Sequence, residues 1–214
     1  MIGVSMKHYL IVGTDVKVGK SHIICALLKD LQSRGRSALG IKPVECGSRA
    51  DARALREAAA SQMSLEQLNP VYLRAGADPC MAAELERRSL SADVLKNAYS
   101  AVASSAEVVL VEAAGGWLVP YAPGITQADA AEVLHIPVIL VVGNRPGAVN
   151  HTLLTVQDIK RRGLECKGII LNHLSDDWDS ASLTNRKLIE DFTGLPILAE
   201  LIYGQDELDS SILD

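Results

Sequence analysis

Short apolar runs rich in β-branched residues alternate along the chain with longer segments whose apolar residues recur at helical spacing. This alternation is typical of a mostly parallel sheet covered by helices on both faces. The short runs predict six strands, at residues 9–12, 38–41, 108–111, 137–142, 167–171 and 197–201. The longer segments predict six helices, at residues 21–33, 51–60, 92–104, 128–134, 151–162 and 183–192.

The periodicity weakens between residues 61 and 90, which predicts an excursion over the carboxyl edge of the sheet and not a separate domain. With 214 residues, 48% of them hydrophobic, the chain can fill the core of one α/β domain. We therefore expect residues 1–214 to form a single domain.

The segment GTDVKVGKS, residues 13–21, lies between the first predicted strand and the first predicted helix. A loop in this position can point backbone N–H groups at a phosphate, while the following helix adds its positive end and a lysine neutralises the outer phosphates. Gly19, Lys20 and Ser21 occupy the last three positions of that pattern, but Thr14 takes the place of its first glycine. The loop predicts a nucleotide site, of a variant type, in a P-loop NTPase-like fold.

Four further strand ends are unusually polar, at residues 42–51, 112–120, 143–151 and 172–177. In open parallel sheets, ligands bind outside the carboxyl ends of the strands, so these segments should ring one crevice together with the loop. Ser21, Asp51 and Glu112 offer the oxygen donors that Mg²⁺ prefers, and Lys20 and Lys42 would face the phosphates. Taken singly, Asp51 could instead be a helix N-cap, Glu112 a surface acid and Lys42 a solvated charge.

Five segments together resemble the dethiobiotin synthase family over nearly the whole chain. They are GTDVKVGKS with its extra residue, IKPVECGS, VEAAGGWLVP, VNHTLLT and LNH. The resemblance implies an ATP- and Mg²⁺-dependent ligase of biotin biosynthesis. It would convert 7,8-diaminononanoate and CO₂ to dethiobiotin through a carbamate and a carbamic–phosphoric anhydride, releasing ADP and phosphate.

The resemblance also implies roles for individual residues. Lys42 and Lys20 become the catalytic candidates; the metal positions are Ser21, Asp51 and Glu112; and the substrate positions are Cys46, Gly115 and Asn150. ATP would contact Lys17, Val18, Gly19, Lys20, Ser21, His22, Asp51, Glu112, Ala113, Ala114, Gly115, Asn172, Ile202, Tyr203 and Gly204. Asn172 would read the adenine edge, although a turn-forming role is open to it from its sequence context.

Asn150 and His151 resemble the segment that, in the family's homodimer, reaches the neighbouring subunit's substrate carboxylate. Taken alone, His151 is more typical of an ordinary helix N-terminal residue. The pair Gly115 and Gly116 predicts a tight turn, either near the ligand or purely conformational.

Several positions depart from the family pattern. The family commonly has an acid at the position of Lys17, a serine at that of Cys46 and a Ser-Pro-His run at Asp78, Pro79 and Cys80. Residues 200–202 read Glu-Leu-Ile in place of Glu-Ile-Pro. The departures at Lys17, Cys46 and residues 78–80 lie near the expected substrate side.

The composition limits the classes of partner that we expect the protein to bind. The net charge is −5 with the charges interspersed, so we expect no nucleic-acid or membrane partner. Four scattered cysteines, with no secretory leader, favour a reducing cytoplasm. The two tryptophans, Trp117 and Trp178, form no ladder for single-stranded nucleic acid and are interpreted as packing or rim residues.

Two alternatives remain open. The first is a partitioning-type ATPase switch that binds a partner protein in its ATP state, but such switches often carry a second lysine early in the loop, whereas Lys17 lies late. The second is an amide-forming relative that acts on a corrinoid carboxylate. That enzyme would normally bring a glutamine-hydrolysing domain, for which 214 residues leave no room.

Overall fold

The computed structural model describes residues 6–177 and 179–214, so Trp178 lies outside the described residues. The strands are β1 (Lys7–Gly13), β2 (Ala38–Ile41), β3 (Val44–Cys46), β4 (Val71–Leu73), β5 (Val108–Glu112), β6 (Pro120–Ala122), β7 (Ile125–Thr126), β8 (Val138–Asn144), β9 (Cys166–His173) and β10 (Ile197–Leu201). The helices are α1 (Lys20–Ser33), α2 (Ala50–Ala58), α3 (Leu65–Leu68), α4 (Pro79–Leu85), α5 (Ala92–Val102), α6 (Gln127–Glu132), α7 (Ala148–Arg161) and α8 (Ser180–Thr193), followed by a 3-10 helix at Ser210–Leu213.

Six strands form a parallel sheet in the order β10-β9-β8-β1-β5-β2. Strand β1 therefore lies between β8 and β5, and the loop that follows it lies at the middle of the carboxyl edge. This is the place where ligands bind in open α/β sheets. The predicted α/β class, with a mostly parallel sheet, is confirmed.

The central strands are apolar at almost every position because both faces of the sheet are covered. In β8, Val138, Leu140 and Val142 pack into the core on one face, and Ile139 and Val141 pack into the core on the other. Helices α1 and α2 and the 3-10 helix cover the second face, while α3 to α8 cover the first. This period of two on a strand that is buried on both sides explains the continuous apolar runs in the sequence.

Residues 61–90 contain more regular structure than the sequence predicts. They include α3, β4 and α4, and β4 pairs in parallel with β3 to form a separate two-stranded sheet. Leu68 and Leu73 from this segment are fully buried in the core that contains Leu10 and Val12 of β1. The excursion is therefore packed into the body of the fold.

Several predicted boundaries are wrong by a few residues, and three of these matter for the site. Strand β9 continues to His173, so Asn172 lies inside a strand and does not follow it as a turn residue. Helix α2 begins at Ala50 with Arg49 at its N-cap, so Asp51 is in its first turn and is not the cap. Helix α7 begins at Ala148, because Gly147 at its N-cap takes a left-handed φ of 87°.

Candidate active site

The phosphate loop connects the buried strand β1 to helix α1. Gly19 is the N-cap of α1 with φ 93°, and no side chain caps the helix, so the backbone N–H groups of its first turn remain available to an anion. A Cβ atom on Gly19 would clash with Nδ2 of Asn172. Glycine is therefore required here both by the backbone conformation and by the close approach of Asn172.

Lys42, Glu112 and Ser21 come together because of the strand register. In the sheet, Ile41 of β2 lies beside Val111 of β5, so the next residues, Lys42 and Glu112, emerge side by side at the carboxyl edge. Nζ of Lys42 donates to Oε1 of Glu112 at 2.8 Å, and Oγ of Ser21 donates to the same oxygen at 2.8 Å. Nζ of Lys42 also donates to the Asp51 carboxylate.

Both lysines of the site are buried, with Lys20 7% and Lys42 8% exposed. Burial lowers the pKa of Lys42, but Glu112 and Asp51 outweigh it, and the net shift is upward. For Lys20, burial dominates and lowers the pKa, with Lys42 as the nearby like charge and Glu112 opposing. Lys42 is therefore a firmly held cation, whereas Lys20 lies in a place where added negative charge would be favourable.

Glu112 is 1% exposed, and one of its carboxylate oxygens, Oε2, has no hydrogen-bond partner among the described residues. Leaving a buried carboxylate oxygen unpaired costs free energy. Because Oε1 already receives hydrogen bonds from Lys42 and Ser21, this carboxylate retains capacity to bind a cation.

Two residues that sequence reasoning missed hold this cluster in place. Glu45 is 3% exposed and accepts hydrogen bonds from the backbone N–H groups of Asp51 and Ala52, which fixes the start of α2 and therefore the position of Asp51. Asn69 is 1% exposed and donates to the backbone oxygen of Lys42 at 2.6 Å. Glu45 could have been found from the sequence, because it is a charged residue between apolar ones. Nothing in the local sequence marks Asn69 as a residue of the site.

A third missed residue is Gln127, which is fully buried at the start of α6. Its Oε1 accepts from the backbone N–H of Ala114 at 3.1 Å. The predicted tight turn is present at Gly115, with φ 71°, and a Cβ atom on Gly116 would come within 3.2 Å of Cα of Asp15. The turn therefore packs directly on the phosphate loop, and Gln127 anchors the residue that precedes it.

A cavity of about 190 Å³ opens beside Lys42. It is lined by Val16, Lys42, Val44, Glu45, Cys46, Ser48, Asp51, Ala77, Asp78, Pro79, Ala114 and Gly115. Burial raises the pKa of the Cys46 thiol to about 11, so the sulfur is uncharged at neutral pH. Two predicted substrate positions, Cys46 and Gly115, thus share one cavity with the predicted catalytic lysine.

The predicted adenine contacts lie on the other side of the loop. Asn172 is 7% exposed, and its Nδ2 donates to the backbone oxygen of Val18 at 3.0 Å. Ile202 and Tyr203 are exposed, and Gly204 has φ 79°. His22 contacts the backbone oxygen of Gln205 through Nε2 at 2.8 Å, which joins this segment to the start of α1.

The remaining predicted residues are dispersed. Lys17 is exposed with φ 58°, Ala113 and Ala114 are buried behind the turn, and Asn150 is exposed in the first turn of α7. Asn150 does not line the cavity that holds Cys46 and Gly115. A second cavity, of about 150 Å³, lies near it and is lined by Thr14, Trp117, Leu118, His151, Leu154 and Thr155.

Trp117 is buried as predicted for a packing residue, and its Nε1 donates to Oδ2 of Asp158 on α7 at 2.8 Å. Asp15 of the phosphate loop pairs with Arg145, which follows β8, at 2.9 Å. Both contacts tie the phosphate side of the crevice to the segment around α7. No helix among the described residues is both long and apolar enough to cross a bilayer.

Comparisons with known proteins match this chain over most of its length. A family model described as an AAA domain matches residues 7–207. An ATP-dependent dethiobiotin synthetase from Akkermansia muciniphila is 47% identical over 97% of this chain and 98% of its own. The chain belongs to the ATP-dependent dethiobiotin synthetase family. A family protein from Cellvibrio japonicus is 42% identical over 81% of this chain and 79% of its own. Another, from Anaeromyxobacter dehalogenans, is 38% identical over 94% of this chain and 92% of its own.

Solved structures show that this family fold is shared more widely. A ParA family ATPase from Chlorobium tepidum superposes with a TM-score of 0.58 at 14% identity, covering 99% of this chain and 89% of its own. The septum site-determining protein MinD of Pyrococcus horikoshii, in a complex with Mg-ADP, gives 0.59 at 18% identity, covering 92% and 81%. At these identities the likeness establishes only the fold, so the partitioning-type switch is not favoured.

Proposed function

We propose that this protein converts 7,8-diaminononanoate, CO₂ and ATP to dethiobiotin, ADP and phosphate. Family membership supports the reaction, and one observation supports its location. A hydrogen-bonded cluster at the carboxyl edge of the sheet contains Ser21, Lys42, Asp51 and Glu112, and Lys20 interacts electrostatically with it. The cluster lies directly beside a cavity that is large enough for the reacting end of a small molecule.

The nucleotide would bind along the loop. Its phosphates would lie on the backbone N–H groups around Gly19, with Lys20 neutralising the outer charge. Burial lowers the pKa of Lys20, so the negative charge of the phosphates would favour its protonated form. Adenine would lie between Asn172 and the segment 202–204, where an amide can bond to the base edge. One amide hydrogen of Asn172 is committed to Val18, which keeps the side chain oriented toward the loop.

The donor set also fits Mg²⁺. Ser21 supplies a hydroxyl, Asp51 and Glu112 supply carboxylates, and Oε2 of Glu112 is a buried oxygen without a partner among the described residues. These are hard oxygen ligands of the kind that Mg²⁺ takes alongside nucleotide phosphates. When bound, the ion would neutralise charge on the outer phosphates.

Lys42 is the group that we assign to the chemistry. A neutral amine of the substrate takes up CO₂ to give a carbamate, with one proton released to water. A carbamate oxygen then attacks the γ-phosphorus with ADP as the leaving group. The second amine then attacks the carbonyl carbon of the resulting anhydride, closes the ring and expels phosphate. Lys42 and Lys20 would stabilise negative charge on the transferred phosphoryl group from two sides.

A homodimer would complete the substrate site. Asn150 is exposed on α7, outside the cavity that holds Cys46, and the neighbouring Leu118 and Leu154 are 57% and 59% exposed. Exposed leucines beside a concave surface are typical of an interface. Association of two copies through this region would place α7 of one copy near the cavity of the other.

The four cysteines are free, in keeping with a cytoplasmic location.

The test is phosphate release from Mg-ATP and bicarbonate, measured with and without 7,8-diaminononanoate. We expect the diamine to stimulate release, and Lys42→Ala to lower the stimulated rate by about 100-fold or more, the order found when a preorganised charge-stabilising donor is lost. Lys29→Ala, which removes an exposed lysine from α1, is the control and should behave as wild type. If the wild-type protein releases phosphate at the same rate with and without the diamine, the proposed function is wrong.

A further inference from the structure

Asp78 occupies an unusual position at the cavity that we assign to the substrate. It is the N-cap residue of α4, yet its side chain makes no capping hydrogen bond. Pro79 at the first position of that helix already removes one N–H group that would need a cap. Within residues 6–177 and 179–214, the Asp78 carboxylate forms neither a hydrogen bond nor an ion pair, although it lines the cavity beside Cys46.

The other charged groups on the cavity wall are already paired. Lys42 is bound to Asp51, and it is also bound to Glu112 behind the wall. Glu45 is occupied by the backbone N–H groups of Asp51 and Ala52. Asp78 is thus the carboxylate left without a partner among the described residues that line this cavity.

Asp78 also acts electrostatically on the cavity interior. Burial raises the pKa of the Cys46 thiol and Lys42 lowers it, while the negative charge of Asp78, followed by Glu86 and Glu45, raises it further. Its field therefore reaches the point where a bound molecule would lie. The rest of the wall is composed largely of small or uncharged residues, among them Ala77, Ala114 and Gly115.

We propose that Asp78 binds the protonated amine of the diamino substrate. This inference rests on the proposed function and names the residue that recognises the charge of the substrate. Two amines on neighbouring carbons disfavour each other's protonation, so at neutral pH one is charged and the other is largely free. The free amine takes up CO₂, and the charged amine needs one unpaired carboxylate, which is what the cavity provides.

Binding by Asp78 places the two amines in an order. The ammonium lies at the exposed rim, and the free amine lies deeper, toward Lys42 and the phosphate loop. Before ring closure the ammonium has to release its proton, which water at the exposed rim can accept. Asp78 is in this account a binding and specificity residue and takes no part in phosphoryl transfer.

The test compares Asp78→Asn with Glu84→Gln, which makes the same charge change at an exposed position on the same helix, away from the cavity wall. Loss of a charged hydrogen bond should raise the KM for the diamine about tenfold in Asp78→Asn and leave the KM for ATP unchanged. Glu84→Gln should match wild type. The Asp78 side chain makes no capping hydrogen bond that the substitution could remove, so α4 should remain folded, which melting curves can check.

Two further readouts separate binding from a structural role. Added salt should raise the KM for the diamine in wild type, and the effect should be smaller in Asp78→Asn, because salt screens an exposed charge pair. Asp78→Glu, which keeps the charge, should recover part of the affinity. An unchanged KM for the diamine in Asp78→Asn, with wild type active, would overturn this inference alone. A wild type without diamine-dependent turnover would overturn the proposed function and this inference together.

Discussion

At the scale of single residues, Gly19 is fixed by two independent constraints. Its φ of 93° is costly for any residue with a Cβ atom, and that atom would also clash with the Asn172 amide. Gly35, after α1, has φ 68° but no atom within 4 Å of the added carbon. Substitution of either glycine therefore carries the cost of the left-handed conformation, but only substitution of Gly19 adds a steric clash.

This difference predicts the outcome of two alanine substitutions. Gly35→Ala should lower the free energy of unfolding by about 1 kcal/mol, the cost of the left-handed conformation. Gly19→Ala should lower it further and weaken ATP binding at least ~10-fold, because Asn172 has to move away from the loop. Urea unfolding and calorimetric titration with ATP measure both quantities. Equal ATP affinity in Gly19→Ala and wild type would contradict the account of the loop.

Lys42 holds together two carboxylates that would otherwise repel each other, one of them 1% exposed. In the absence of Mg²⁺, Lys42→Met should therefore lower the free energy of unfolding by about 3 kcal/mol, because a buried charge loses its partner. Millimolar Mg²⁺ should restore part of that loss, since the ion can take over the same oxygens.

The matched control for this prediction is the double variant Lys42→Met with Glu112→Gln. Removing the buried charge should recover much of the lost stability and abolish the response to Mg²⁺. Urea unfolding with and without Mg²⁺ gives both results without any assay of activity. If Mg²⁺ stabilises the single and the double variant equally, Glu112 is not a ligand of the metal.

The sequence predicts some residues of the site and misses others for physical reasons. Lys20 and Ser21 belong to a contiguous motif, Lys42 directly follows a buried strand and Glu112 ends one, so their positions can be predicted locally. Gln127 contacts Ala114 and Asn69 contacts Lys42 only because the folded chain brings them together. A polar residue that supports a site from another element leaves no local pattern.

At the scale of elements, the segment after α2 fixes the backbone of Lys42. The backbone N–H of Lys42 donates to the oxygen of Leu68, and the backbone oxygen of Lys42 accepts from Nδ2 of Asn69. Asn69 also donates to the oxygen of Val71 and accepts from Arg49. A four-residue helix and a three-residue strand thus position the catalytic candidate.

Asn69→Ala should therefore affect both stability and turnover. It removes the hydrogen bonds to the backbone oxygens of Lys42 and Val71, so the free energy of unfolding should fall by about 2 kcal/mol. The turnover number should fall as well, while ATP affinity changes little, because the phosphate loop is not touched. Asn97→Ala, at an exposed position on α5, is the control. Urea unfolding and steady-state kinetics give the comparison, and wild-type stability in Asn69→Ala would contradict it.

The elements that sequence analysis finds are those long enough to show a period. All six predicted strands and six predicted helices have a counterpart in the structure, with shifted ends. The missed elements are short. Strands β3, β4, β6 and β7, helix α3 and the 3-10 helix have two to four residues each, too few to show a repeat, and α4 has only seven. They are stabilised by the cores into which they pack and not by their own sequence.

At the scale of the whole molecule, the strand order decides the site. The sequence predicts a parallel sheet and one crevice, but it does not predict that β1 lies between β5 and β8. That order places Glu112 and Lys42 on one side of the phosphate loop and Arg145 on the other. The order follows from packing over the whole chain, which no single segment encodes.

The proposed homodimer makes a prediction at this scale. A charge placed in a buried apolar contact is costly, so Leu154→Asp should shift the protein toward the monomer. The control is Leu183→Asp on α8, where the wild-type leucine is 65% exposed but lies outside the proposed interface. This substitution should not change the mass of the protein in solution. Analytical ultracentrifugation gives the masses. A wild type that sediments as a monomer at all concentrations would contradict the dimer.

We propose that this protein closes a cyclic urea with ATP and CO₂. The reaction can be followed by mass spectrometry of the products that the wild-type protein forms from Mg-ATP, 7,8-diaminononanoate and carbon-13-labelled bicarbonate. We expect dethiobiotin with the label at the ring carbonyl carbon, formed together with ADP and phosphate. ADP and phosphate without a labelled cyclic product would contradict it.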